Sequence, residues 1–381
     1  MKKVLAVLVM FSVIGFSFAQ DQLVIGAALA LTGDFATGDV PVLDGVNYIV
    51  DKINKEGGVM GKPIKLIVKD MQSDPAVGGQ VAQELLDEGV SVIIGPPITG
   101  ISVGVIGVAA SQGVSVVSGA ATSPEYTFVG GAPAYLSAFG DNVQAAAAAE
   151  YALEQGLKTA YIMSSPEITY TDNIPKWFVE TFTQGGGEIL GTVTHSLGQT
   201  DFSSQVTTIA STNPAPDMVF AGMIPPDSNA FVKQLRDAGY KGAIYGPDAF
   251  DTIELINLAG EMADGTVITT HGFPTEGSNY AEQLAGMEVL AGRPIEGPAL
   301  AAVGADAVRV IVAAAEAAQS FKAQDITAAL PNLENVPAIT GNITYKDVGG
   351  VPNKAVTIIA VEGGKFVFKK EFVPSYIPAF Q

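Results

Sequence analysis

From residue 22 onward, short apolar runs rich in β-branched residues alternate with stretches whose apolar positions recur every three or four residues. The runs "QLVIGAALAL", "PIKLIVKD", "VSVIIG" and "VSVVSG" read as strands. Between them, "VLDGVNYIVDKINKEGG", "PAVGGQVAQELLDEG" and "GISVGVIGVAASQG" have helical spacing and close on glycine. Near-continuous apolar strands joined by helices predict a parallel sheet covered on both faces.

The alternation starts afresh at Asp141. Helices are predicted at "NVQAAAAAEYALEQG", "IPKWFVETFTQGGG", "FSSQVTTIAS" and "SNAFVKQLRDAG", with strands at "KTAYIMS", "EILGTVTH", "DMVFAGM" and "AIYG" between and after them. The two halves echo each other. A predicted strand ends at Gly95, Pro96-Pro97 follows, and the next strand ends at Gly119; in the second half Gly222, Pro225-Pro226 and Gly246 repeat the arrangement, each pair of glycines 24 residues apart. The echo points to two lobes of one architecture, with ligand loops at the carboxyl ends of their strands. No Pro/Ser-rich linker separates the halves, so several chain crossings are expected. The late helices "YAEQLAGMEVLAG" and "PALAAVGADAVRVIVAAAEAAQS" are apolar enough to need a sheet, and the first half is the candidate. "GNITYKD", "AVTIIAVEGG" and "KFVFKKEF" read as extended.

Composition narrows the classes. Two lysines, an apolar run of about a dozen residues, and small residues at Ser17 and Ala19 read as a secretory signal peptide, residues 1–19, cut after Ala19. The run is shorter than a membrane span needs. With 39 acidic against 20 basic residues and a net charge of −19, the surface repels phosphate backbones and anionic lipid; nucleic acid is excluded as a partner and membrane insertion is not expected. Zero cysteines remove disulfides and thiol chemistry, and two histidines, His195 and His271, do not make a His-rich metal site. No cofactor is expected.

One enzyme signature needs weighing. Gly100–Gly104 spells G-x-S-x-G, and Ser102, Asp248 and His271 follow the chain order of an α/β-hydrolase triad. That turn requires the strand to feed directly into the serine, whereas here Pro96-Pro97-Ile98-Thr99 intervene after the strand. Ser102 then falls in the first turns of a helix, where local capping or packing is its simplest role. The turn "LTGDFATGD" lacks G-x-G-x-x-G, and no Walker A sequence occurs. Asp70 and Asp74 are expected to end a strand and cap a helix.

The strand-end loops suit a receptor for a small polar molecule. Thr99-Gly100 begins a helix, so a hydroxyl and free N–H groups converge there as an anion site. "SGAATSPE" supplies Thr122 and exposed carbonyls, and "YGPDAFD" places Asp248 at a strand end where a carboxylate can meet a cation. Capping roles are open to all three residues, and a residue can do both jobs.

At these residues the chain resembles the type I periplasmic binding proteins of ABC transporters, in particular the leucine/isoleucine/valine-binding family. The resemblance runs over nearly all of the chain after the leader, through "IGAALALTGDFATGD", "DGVNYIVDKINKEGGVMGKPIKLIVKDMQSDP", "VIIGPPITG", "VSGAATSPE", "DFSSQVTTI", "VKQLRDAGYKGAIYGPDAF" and "AGEMADGTVITT". It implies an α/β fold of two Rossmann-like lobes with parallel-sheet cores joined by a multi-crossing hinge. The expected lobes are residues 20–139 with 274–345, and 140–273 with 346–381, the ligand lying in the cleft between them. It also implies that a ligand α-carboxylate is held at Thr99 and Thr122, and an ammonium by the Ala120 carbonyl, Thr122 and Asp248.

The expected ligand set is Ile98, Thr99, Gly100, Ala120, Ala121, Thr122, Tyr170, Met223 and Asp248. Charge-assisted hydrogen bonds of this kind contribute about 1.5–3 kcal/mol each. A ligand lacking an amine is expected to leave Asp248 unpaired. The sequence departs from the family pattern near Thr37, at Met223-Ile224-Pro225-Pro226-Asp227, and in "SSPEITYTDN" around Tyr170, which leaves a branched-chain ligand in particular open. The expected protein is a periplasmic, monomeric, non-enzymatic carrier that passes an amino acid or related small carboxylate to an ABC transporter permease. A ligand-sensing receptor subunit of a signalling system is the other binding reading.

Overall fold

The computed structural model describes residues 21–131 and 133–380; the expected signal peptide lies outside these residues. The first half builds β1 (Val24–Leu29), α1 (Ala36–Lys55), β2 (Lys65–Asp70), α2 (Pro75–Asp87), β3 (Val92–Gly95), α3 (Thr99–Ser111), β4 (Val116–Ser118) and β5 (Ala134–Tyr135). The second builds α4 (Asp141–Glu154), β6 (Thr159–Ser164), α5 (Thr169–Gln184), β7 (Glu188–Thr194), α6 (Ser203–Ala210), β8 (Met218–Ala221), α7 (Asp227–Asp237), β9 (Ala243–Gly246), α8 (Ile253–Ala259) and β10 (Thr266–Thr270). Then follow α9 (Asn279–Ala291), α10 (Pro298–Ala318), α11 (Ala323–Ala329), β11 (Val356–Glu362) and β12 (Lys365–Phe372).

The first sheet is parallel throughout, in the order β2-β1-β3-β4-β5. The second repeats that order as β7-β6-β8-β9-β10 and adds β11 and β12 antiparallel at the β10 edge. The glycine echo in the sequence is therefore an equivalence of place: β3–α3–β4 and β8–α7–β9 occupy matching positions in the two sheets. Both sheets carry the doubly wound order whose ligand crevice lies beyond the carboxyl ends of the strands.

The late helices pack on the first sheet. α10 has the length and apolar composition of a membrane span, but it is a core helix: Ala301, Ala302, Val303, Ala305, Val308 and Ile311 are fully buried with α1 and the first sheet. α1 meets it with an i, i+4, i+7 stripe of Val42, Val46 and Ile49. Two glycines set the spacing of the pair. A Cβ at Gly45 would lie 1.8 Å from the Ala301 carbonyl oxygen, and one at Gly304 would lie 2.5 Å from that of Val42. Asp74 caps α2 by accepting the Ala76 N–H at 2.7 Å, and Asp70 ends β2, accepting the Leu31 and Gln72 N–H groups at 2.9 and 2.8 Å. Two segments differ from expectation. "GNITYKD" makes one isolated bridge, Ile343 to Val336, and no strand: beyond it the Tyr345 and Lys346 amides both donate to the single Leu333 carbonyl rather than continuing a ladder. α11, a short helix, carries no long apolar period and was not foreseen.

The chain passes between the sheets after β5, after β10, and before β11. The first and third crossings are bonded to each other: Leu136 N–H donates to Gly350 O at 2.8 Å, and Lys354 Nζ donates to Ser137 O at 2.9 Å. Phe139 of the first crossing stacks on His271 of the second, ring centres 4.0 Å apart. Lys354 is sealed from solvent with Asp306, their charged atoms 3.4 Å apart, and the Thr340 hydroxyl bonds to both. Burial pushes the Lys354 ammonium below its ordinary value, against the pull of Asp306.

Candidate functional site

Every expected site residue follows the carboxyl end of a parallel strand. Ile98 and Thr99 come after β3; Ile98 is the extended N-cap of α3 and Thr99 its first residue. Among the described residues the Thr99 hydroxyl has no hydrogen-bond partner, and the first-turn amides of a helix have no acceptor within it. Ile98 and Gly100 are exposed and Thr99 is half-buried, so this helix start is open to a ligand. Ser102 is different. It is fully buried, and its Oγ donates to the Ile98 carbonyl at 2.7 Å and to the Pro96 carbonyl at 3.2 Å. Its hydroxyl braces the turn that presents Thr99.

After β4 the chain is held by Ser118, whose Oγ accepts the Ala120 and Ala121 N–H groups at 3.2 and 2.5 Å. Ala120, Ala121 and Thr122 are buried. The Thr122 carbonyl accepts the Asp141 N–H at 2.7 Å. Asp141 opens α4, the first helix of the second lobe.

Asp248 follows β9 and is the centre of a dense polar network. Its Oδ1 accepts from the Tyr170 hydroxyl at 2.5 Å and from Gln144 Nε2 at 2.8 Å, and its Oδ2 faces His271 Nε2 at 3.1 Å. The Tyr170 hydroxyl in turn accepts the Ala249 N–H at 3.1 Å. Gln144 uses every position of its amide. Nε2 also donates to Asp141 Oδ1 at 2.9 Å, while Oε1 accepts from the Asp248 N–H at 3.0 Å and the Thr269 hydroxyl at 2.8 Å. A continuous chain thus runs from Thr122 through Asp141 and Gln144 to Asp248, joining strand-end loops of the two sheets.

The electrostatics follow from burial. Burial pushes the Asp248 carboxyl up, but bonds from His271, Tyr170 and Gln144 outweigh it and hold the group below its ordinary value. Asp141 goes the other way: burial and the nearby Asp248 charge raise it to about 7, against the bonds from Thr122 and Gln144. Asp251, bonded to the Thr270 hydroxyl at 2.5 Å, is raised by burial to about 6.

Several expectations change here. Asp248 does not wait unpaired for an amine, since the chain itself supplies three donors to its carboxylate. The Tyr170 hydroxyl faces Asp248, so Tyr170 orients the acid. Met223 is fully buried, and its side chain packs in the second lobe's core with residues such as Phe231 and Phe250. Sequence reasoning missed Asp141 and Gln144, and weighed His271 as a triad member and as a metal ligand but not as a partner of Asp248. The signal was present: Asp141 and Gln144 stand at i and i+3 in the first turn of an apolar helix, where a buried Asp and Gln need partners. Two shallow surface recesses of about 470 and 500 Å³, lined by residues including Arg236, Lys241 and Asp264, lie at the amino ends of β9 and β10, away from this network.

Comparison with known proteins agrees with this architecture. Residues 22–365 match the family model described as periplasmic binding protein. The Leu/Ile/Val-binding protein BraC3 of Rhizobium johnstonii is 27% identical over 350 residues, 92% of this chain and 94% of that protein. The crystal structure of the leucine-binding protein LivK of Thermotoga maritima superposes with a TM-score of 0.80 at 28% identity, covering 92% of this chain and 99% of that one. The isoleucine complex of LivJ from Streptococcus pneumoniae gives a TM-score of 0.80 at 24% identity, covering 94% and 100%. The chain belongs to the periplasmic binding protein family, the substrate-binding proteins that share this two-lobed α/β fold.

Proposed function

We propose that this protein captures an amino acid in the cleft between its lobes and delivers it to the permease of an ABC transporter, acting as an exported monomer without catalytic activity. The observation that carries the reading is the bonded chain from Thr122 to Asp248, which brings the strand ends of the two sheets together around a helix start. In this reading Thr99 and the Gly100 N–H bind the ligand carboxylate, with Thr122 and the Ala120 carbonyl beside them. Asp248, with Asp141 and Asp251 nearby, provides a surplus of acid that favours an ammonium. The lobes we assign are residues 20–139 with 274–345, and 140–273 with 346–381. The packing of α9 to α11 on the first sheet and the pairing of β11 and β12 in the second support them. The names of the relatives place amino acids, leucine among them, first in a ligand screen. The engagement of Ser102 with its own turn, and of His271 with Asp248, speaks against hydrolysis.

The test is calorimetry with the twenty common L-amino acids. At least one is expected to bind, and Asp248→Asn and Thr99→Ala are each expected to weaken it more than about tenfold. Unchanged affinity in both variants removes the site assignment.

A further inference from the structure

We infer that Gln144 is the positioning residue of the ligand site, setting Asp248 at the strand end of the second lobe and tying it, through Asp141, to Thr122 of the first. The inference rests on the ligand-site reading above and assigns a role to a residue that touches no proposed ligand atom. Gln144 is almost fully buried, at 1% exposure, and its amide makes four hydrogen bonds, two as donor and two as acceptor. An amide with all four positions engaged has one orientation and no free rotamer. Flipping it would set Oε1 against both carboxylates and Nε2 against the Asp248 N–H and the Thr269 hydroxyl.

Two features make this more than packing. Gln144 holds Asp248 twice, by its carboxylate and by its backbone N–H, and so fixes the direction of the acid as well as its place. It also donates to two carboxylates from one nitrogen. A third acid in its place would put three carboxyl groups together, and a shorter Asn on the same helix turn would not span from Asp141 to Asp248. The second lobe is thereby coupled to the junction through this amide: the Asp141 N–H donates to the Thr122 carbonyl, and any shift of that loop moves the partner of Gln144.

The experiment is a double-mutant cycle on ligand affinity. The full chain, wild type, Gln144→Met, Asp248→Asn and the double variant, is titrated by calorimetry with whichever common L-amino acid binds the wild type. Methionine keeps the length and volume of Gln144 and removes its hydrogen bonds. Gln144→Met is expected to raise Kd by about tenfold in the wild-type background, and by less than about twofold where Asp248 is already Asn. A loss below about threefold, or one that persists undiminished beside Asp248→Asn, overturns the inference. If Gln144→Met does not fold, Thr269→Val, which removes one donor to Oε1 at constant shape, takes its place in the same cycle with an expected loss of about threefold. Affinity left unchanged by Thr269→Val then overturns the role. Failure of the wild type to bind any common L-amino acid overturns the ligand-site reading and this inference with it, whereas wild-type binding that Gln144→Met weakens by less than about threefold overturns the inference alone.

Discussion

Two buried charged clusters sit near the crossings between the lobes, and they solve the same problem in opposite ways. Around Lys354 one cation meets one carboxylate, Asp306, which also accepts the Ile339 and Thr340 N–H groups. Charge balances and no exposed atom is involved. Around Asp248 three carboxyl groups, Asp141, Asp248 and Asp251, share the donors of Gln144, Tyr170, His271 and Thr270. Here burial, with the nearby Asp248 charge adding to it, makes Asp141 and Asp251 hold protons to unusually high pH. A balanced cluster can only fasten; an acid-rich one at a strand end can respond to a ligand or a proton. The difference locates rigidity at the Lys354 side of the junction and responsiveness at the Asp248 side.

The largest expected effect comes from unbalancing the fastened cluster. Lys354→Met leaves the Asp306 carboxylate buried without its counter-charge, and removing one partner of a buried pair costs about 3–5 kcal/mol. Urea denaturation of the apo protein should show that loss, and Asp306→Leu in the same chain should restore part of it. A cost below about 1 kcal/mol would mean that the pair is not what holds the first and third crossings together. Next in size is Thr340→Val. Its hydroxyl donates to Asp306 Oδ2 at 2.6 Å and accepts from Lys354, and bonds to charged groups contribute about 1.5–3 kcal/mol. Stability should fall by that amount while ligand affinity stays unchanged within error. A matching loss of affinity would show that the Lys354 cluster also shapes the binding site, and the comparison would collapse.

The sequence carried the scaffold well because the scaffold is built from periodicity. Apolar strands such as "VSVIIG", helices closed by glycine, and the repeated 24-residue spacing at Gly95 and Gly222 each report a local rule. The strand-end positions of Thr99, Thr122 and Asp248 follow from those elements. What the sequence did not carry is which polar groups meet across a distance. Gln144 and Asp248 are 104 residues apart, and Lys354 and Ser137 are 217 apart. Nothing local at Lys354, in a loop "VPNKAV", distinguishes a sealed lysine from a solvated one. The core packing of Met223 was hidden for the same reason: a residue just past a strand end can turn either toward the crevice or into the core, and the sequence has no period there to decide.

The smallest effect tests the responsive cluster by its pH dependence. The Asp141 carboxyl titrates near 7 in the folded chain, against an ordinary value of 3.8. A carboxyl raised in this way binds its proton more tightly folded than unfolded, so its contribution favours the folded state below the unfolded value and is lost as pH climbs from about 4 to about 7. Asp141→Asn mimics the protonated acid: it keeps an acceptor for Gln144 Nε2 and cannot ionise. The melting temperature of the wild type should therefore fall more steeply between pH 4.5 and 7.5, roughly the span between the two titrations, than that of the variant. At pH 8, about one unit above the folded titration, the variant should be the more stable by a few degrees. Asp251, raised less, leaves a shallower slope in both proteins, so the readout is the difference between the two curves. Parallel curves would mean that Asp141 ionises freely where it sits. The surplus of acid around Asp248 would then be solvated, and the contrast with the sealed Lys354 cluster would reduce to exposure alone.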